Sequence, residues 1–166
     1  MEIISTMMDG SIYYLGGLEP VPSGSGMNQD DKMDRLEEVP MFRDCSRRQL
    51  RAVARITAVF DAPAGTVLTR VGEPGEEFFL IVAGSATVEV SPRKRVPLKP
   101  GDYFGEMSLL DGEPRSATVV AETPVRLLVI SRRNFSTLLN EVPGMIQSLL
   151  ATLSRRVRQA ERALNV

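Results

Sequence analysis

The sequence predicts a mainly β domain flanked by helices, an α+β chain whose central part is a sandwich or barrel. Three observations predict it. From Thr57 to Ser131, short β-rich runs are broken by glycine and proline at regular intervals. On either side, residues 31–56 and 132–163 carry cap signals and helical spacing of apolar residues. The chain has 166 residues, 43% hydrophobic and 25% charged, enough for one ordinary domain with a real core.

The first 26 residues differ from the rest. They hold Gly10, Gly16, Gly17, Pro20, Pro22, Gly24 and Gly26 with little periodic pattern, and end in the linker-like Pro22-Ser23-Gly24-Ser25-Gly26. Met27 follows as a plausible natural start, so 1–26 is read as a flexible tail or a grafted segment outside the core fold. Its apolar middle, Ser11 to Leu15, is a candidate docking peptide, weighed against a disordered tail.

Residues 27–57 read as N-terminal helices. The first spans 31–39, with Met33, Leu36 and Val39 on one face and Pro40 as its stop. Ser46 caps a second from Arg47 to Ile56, with Leu50, Val53, Ala54 and Ile56 facing the core. Strands then fill 58–131, and Gly65, Gly72, Gly84 and Gly101 mark their corners. Residues 132–166 turn helical again. Ser131 caps a helix from Arg132 to Leu139, and beyond Pro143 a long helix runs from about Gly144 to Ala163. Its apolar residues Ile146, Leu150, Leu153, Val157, Ala160 and Leu164 fall at alternating spacings of four and three, a heptad seam, with Leu149 widening it where the helix meets the strands. The seam predicts either a homodimer or a face covering the chain's own β domain. Arg155, Arg156, Arg158 and Arg162 lie on the polar side.

Composition excludes much chemistry. Histidine is absent, which removes Ser-His-Asp and Cys-His catalysis and every His-ligated metal. The single cysteine, Cys45, can form neither an internal disulfide nor a thiolate cluster. A net charge of −1 provides no broad basic field for nucleic acid. No apolar run is long enough for a membrane span, and the N-terminus lacks a secretory pattern. These features predict a cytoplasmic protein that is not an enzyme and holds no metal.

The most informative stretch is Phe104 to Thr118, F-G-E-M-S-L-L-D-G-E-P-R-S-A-T. Gly105 frees backbone N–H groups, Glu106 supplies a carboxylate, and Arg115 supplies a planar fork for phosphate oxygens. A carboxylate and an arginine held apart by a tight turn suit a ligand carrying both a hydroxyl and a phosphate. The competing reading is a surface loop in which Glu106 and Arg115 simply pair.

The stretch resembles the phosphate-binding cassette of cyclic nucleotide-binding domains, such as those of the catabolite activator protein and the regulatory subunits of protein kinase A. Phe104, Gly105, Glu106, Leu109, Pro114, Arg115, Ser116 and Ala117 match the family pattern, and the likeness runs from about Met41 to Ala163. The resemblance implies an eight-stranded jelly-roll β-barrel with N-terminal helices, a cassette at 104–118 and a long C-terminal helix. It implies that Glu106 takes the ribose 2′-hydroxyl and Arg115 the cyclic phosphate. Ser116, with Ala117 beside it, adds to the phosphate site, and Gly105, Met107 and Ser108 contribute backbone groups. A residue of the last helix, between Arg156 and Ala160, would cover the base. The expected ligand is cAMP, with cGMP as the alternative, because family members that prefer guanine often carry threonine where Ser116 stands. Family transcription factors place a helix-turn-helix after the long helix. With none before Val166, the expectation is a sensor without its own output domain. The alternative is a scaffold or cargo module on the same fold, working through a partner protein.

Overall fold

A computed structural model describes residues 26–165, apart from the side chain of Pro40, together with the backbone of three short strands before them. Those are β1 (Ile4–Thr6), β2 (Ile12–Tyr14) and β3 (Glu19–Pro20). β1 pairs with β2, and β3 pairs antiparallel with the later strand at 58–62. The expectations for the 1–26 segment otherwise fall outside the described residues.

Helix α1 spans Gln29–Glu37 and starts with a capping box, in which the Asn28 side chain accepts from the Asp31 N–H at 2.8 Å and Asp31 returns the contact. It begins two residues before the expected start and gives way to a 3-10 turn at Pro40–Phe42. α2 (Arg47–Arg55) has the predicted Ser46 cap, reciprocated by Gln49. Around its end, Lys32 Nζ donates to Thr57 O at 2.7 Å and to Ala54 O at 3.3 Å. Burial lowers the Lys32 pKa, and the contact locks α1 onto α2.

Eight strands follow: β4 (Ala58–Ala62), β5 (Val67–Thr69), β6 (Glu77–Ala83), β7 (Ala86–Ser91), β8 (Lys94–Leu98), β9 (Tyr103–Phe104), β10 (Thr118–Ala121) and β11 (Val125–Ser131). α3 (Glu106–Asp111) is inserted between β9 and β10, and α4 (Arg132–Glu141) and α5 (Pro143–Leu164) end the chain. All the strand pairings are antiparallel. One sheet has the order β5-β10-β7-β8 and the other β3-β4-β11-β6-β9, which is the jelly-roll arrangement. The sheets face each other without a ladder that closes them, so the expected barrel is a sandwich. The Gly65 and Gly101 corners carry the chain from one sheet to the other without continuing a ladder. Pro97 is tolerated because β8 is an edge strand.

The central strands β6 and β11 are almost entirely apolar, with no polar alternation. Each strand serves two cores. Phe79, Ile81, Leu127 and Val129 point into the sandwich and pack with Phe60, Phe104 and Val119. Phe78, Leu80, Leu128 and Ile130 point the other way, onto Leu36, Phe42, Leu50, Phe135 and Leu149 from the helices. With both faces covered, an antiparallel strand has no wet side to mark in sequence.

α5 divides its apolar residues between two environments. Met145 and Leu149 are buried against the helical core. The heptad residues Leu150, Val157 and Leu164 are 59%, 56% and 84% exposed.

The four predicted corner glycines all have positive φ. Gly84, between β6 and β7, has φ +82°, and a Cβ there would collide with the Pro124 carbonyl oxygen. Gly84→Ala combines backbone strain with that clash and is expected to lower stability by about 2 kcal/mol or more, read from the urea midpoint.

Candidate functional site

The loop from β9 into α3 is shaped by one glycine. Gly105 takes φ +91°, and a Cβ on it would lie 2.8 Å from Glu77 O and 2.9 Å from Arg115 Nη1. Only glycine lets the backbone approach the guanidinium this closely. Arg115 sits at the centre of the contacts and is 6% exposed. Its Nη1 donates to Gly105 O at 3.0 Å, and its Nη2 donates to Glu77 O at 2.9 Å and reaches Glu77 Oε2 at 3.3 Å. Its Cζ lies 5.7 Å from the centroid of the Phe79 ring. Burial pushes the guanidinium below its ordinary pKa and Glu77 pulls it back; the group stays charged, as arginine does in proteins. Burial likewise raises the Glu77 carboxyl, and Arg115 opposes that.

The loop between β5 and β6 holds Arg115 from the other side. The Arg115 N–H donates to Glu73 O at 2.8 Å, and the Gly72 N–H donates to Arg115 O at 2.9 Å. Gly75 packs so tightly that a Cβ on it would lie 2.5 Å from Ser108 Cβ and 2.8 Å from Arg115 Cζ. Arg132, the first residue of α4, ties the same loop to α3. Its Nε donates to Glu76 Oε2 at 2.9 Å, and its Nη2 donates to Gly75 O at 2.6 Å and Ser108 O at 3.2 Å.

Glu106 is buried at the start of α3, and its Oε1 accepts from Arg156 Nη1 of α5 at 2.6 Å. The surface-loop alternative required Glu106 to pair with Arg115; each has a different partner instead. Both line one cavity of about 480 Å³, within the range of small-ligand sites. Its floor is apolar, with Val88, Leu98 and Val119 from the four-stranded sheet and its approaches. Gly105, Met107, Ser108, Ser116 and Ala117 also line it, as do Lys94, Arg156 and Gln159. The Tyr103 hydroxyl, on the same wall, is buried; burial raises its pKa and its contact with the Thr152 side chain opposes that. The Ser116 hydroxyl lies 3.6 Å from Met107 Sδ.

The sequence-predicted residues thus meet at one place, with one exception. Ala160 is exposed and does not line the cavity; Gln159 does, and with Arg156 it forms an i, i+3 pair on one helix face. Sequence reasoning missed Glu77, Phe79, Gly75 and Arg132. Gly72-Glu73-Pro74-Gly75 carried a signal, read only as a corner. Among the described residues no group of carboxylates or cysteine could hold a metal ion, and no helix is long and apolar enough to cross a membrane.

Against known proteins, residues 59–142 match the cyclic nucleotide-binding domain family. The chain is 40% identical over 118 residues to a cyclic nucleotide-gated potassium channel of Mesorhizobium japonicum, covering 71% of this chain and 33% of the channel. It therefore spans about a third of that relative's length. A cyclic nucleotide-binding domain from Methylobacillus flagellatus superposes with a TM-score of 0.71 at 28% identity, covering 89% of this chain and 88% of that one. The regulatory domain of Toxoplasma gondii protein kinase A, crystallised with cAMP, gives a TM-score of 0.67 at 26% identity, covering 77% and 50%.

The packing at Gly75 can be tested alone. Gly75→Ala forces a methyl group against Ser108 and the Arg115 guanidinium, and the expected loss is about 1–3 kcal/mol in urea unfolding.

Proposed function

The chain belongs to the cyclic nucleotide-binding domain family, and from that premise we propose that it is a cAMP-responsive regulatory domain that binds its ligand without chemically changing it. The observation that carries the reading is the meeting of Arg115 and Glu106 in one cavity with an apolar floor. The phosphate approaches Arg115, whose Nε–H has no protein acceptor among the described residues. A buried, charge-assisted contact of this kind is strong because water does not compete for it. The ribose hydroxyl donates to Glu106, and the base lies along Val88, Leu98 and Val119 under Arg156, whose guanidinium can stack on a purine face. Serine at 116 and the cAMP held by the Toxoplasma regulatory domain favour adenine. A single cysteine, which can form no internal disulfide, and this ligand fit a cytoplasmic setting.

Output runs through α5. Arg156 bonds Glu106 directly, so a ligand hydroxyl arriving at that carboxylate must share it or displace the guanidinium. Ligand then shifts the position of α5 by the difference in its affinity for the two arrangements. The exposed seam through Leu150, Val157 and Leu164 is the surface that a second copy would cover, giving a homodimer.

Three experiments test this. The wild-type chain should melt higher with cAMP than without it, by an amount that grows with ligand concentration. In calorimetry Arg115→Ala should weaken binding by at least about 2 kcal/mol; wild-type affinity in that variant would refute the assigned role, and no shift with either cAMP or cGMP would favour a scaffold. In sedimentation the wild type should be dimeric at high micromolar concentration and Leu150→Glu monomeric; a wild-type monomer ends the dimer assignment.

A further inference from the structure

Beneath the cavity wall lies a carboxylate that ligand contact does not explain. Glu77 does not line the cavity; it reaches Arg115 from behind, with its side chain 13% exposed. The guanidinium is already oriented without it. Two main-chain carbonyls, Gly105 O at 3.0 Å and Glu77 O at 2.9 Å, accept from it and would do so whatever side chain stood at 77. The carboxylate contact is the longest of the three at 3.3 Å. Burying an acid here is unfavourable, and its distinct contribution is charge.

The charge count is specific. By residue type the formally charged side chains on the cavity wall are Lys94, Arg115, Arg156 and Glu106, three cations against one anion. Glu77 lowers that excess from two positive charges to one. The neighbouring Glu76–Arg132 pair, at 2.9 Å, adds none. A cyclic phosphodiester carries one negative charge, whereas a linear phosphomonoester carries nearly two at neutral pH.

We propose that Glu77 sets the phosphate site to receive a single negative charge and is the positioning residue through which the cavity rejects linear nucleoside monophosphates. It acts through Arg115, by repelling the second phosphate charge across a short, partly desolvated distance. This rests on the nucleotide reading of the cavity.

The test uses the full chain and three adenosine ligands at about pH 8, where the monoester is dianionic. They are the 3′,5′-cyclic monophosphate, the 5′-monophosphate and the methyl ester of the 5′-monophosphate, which is acyclic but singly charged. In the wild type the methyl ester should bind at least about tenfold tighter than the 5′-monophosphate. In Glu77→Gln the ratio of linear to cyclic Kd should fall about tenfold, chiefly through tighter binding of the 5′-monophosphate, and Glu77→Asp, which keeps the charge, should retain the wild-type ratio. An unchanged ratio in Glu77→Gln, or a methyl ester that binds no tighter than the dianion, overturns the assignment; the second comparison needs no variant to fold. If the wild type does not bind the cyclic ligand, the nucleotide reading itself falls. Cyclic binding with an unmoved ratio sinks only the role of Glu77.

Discussion

A buried guanidinium organises this domain. Removing a full charge from water is expensive, and Arg115 is tolerated inside only because acceptors from two distant segments converge on it. That requirement explains features that look unrelated in the sequence. Gly105 must be glycine because its main chain comes within reach of Arg115, and Gly75 must be small because the β5–β6 loop closes over the same group. Phe79 lies under the guanidinium and stacks with Phe104 at 4.9 Å, so the cation rests on the edge of the sandwich core. The site is therefore built into the packing, and its geometry is as stiff as the core beneath it.

Strand β6 connects that site to the helices. Its first residue, Glu77, meets Arg115, and Phe79 faces the sandwich; Phe78 and Leu80, between and beyond them, face Phe135 and the other helical residues. Alternation along one strand thus puts ligand chemistry and helix packing one residue apart. Arg132 makes a second, polar link, since the first residue of α4 bonds both the β5–β6 loop and α3. Neighbouring carboxylates divide the work: Glu76 pairs with the arginine that begins α4, and Glu77 pairs with the arginine in the cavity.

What could be read from sequence followed from how local the physics is. The cassette from Phe104 to Ala117 was legible because its parts lie within one short segment and each has a distinct chemical type. The caps at Ser46 and Ser131 were legible because a side chain three residues from its target leaves a fixed spacing. Glu77 was not, because its partner stands 38 residues away and a single acid before an apolar run resembles any strand start. The two-core role of β6 and β11 was hidden because burial on both faces erases alternation. The sequence marked a stripe on α5 but not its use, since Met145 and Leu149 face inward while the longer seam stays exposed.

That division of α5 bears on how a signal could leave the domain. One face is anchored in the helical core near its start, at Met145 and Leu149. About two turns further on, Arg156 is tied to Glu106, while Leu150 and Val157 face solvent. A helix anchored at its base and tethered at a single charged contact higher up behaves as a lever. Its packing contacts resist displacement at the base, whereas a group competing for one carboxylate can release the tether. The Arg156 end is the compliant one, because that side chain is half exposed and, among the described residues, is held by its bond to Glu106. On the proposed reading, a change at the cavity would alter the direction of the exposed seam without disturbing the core that holds the sandwich together.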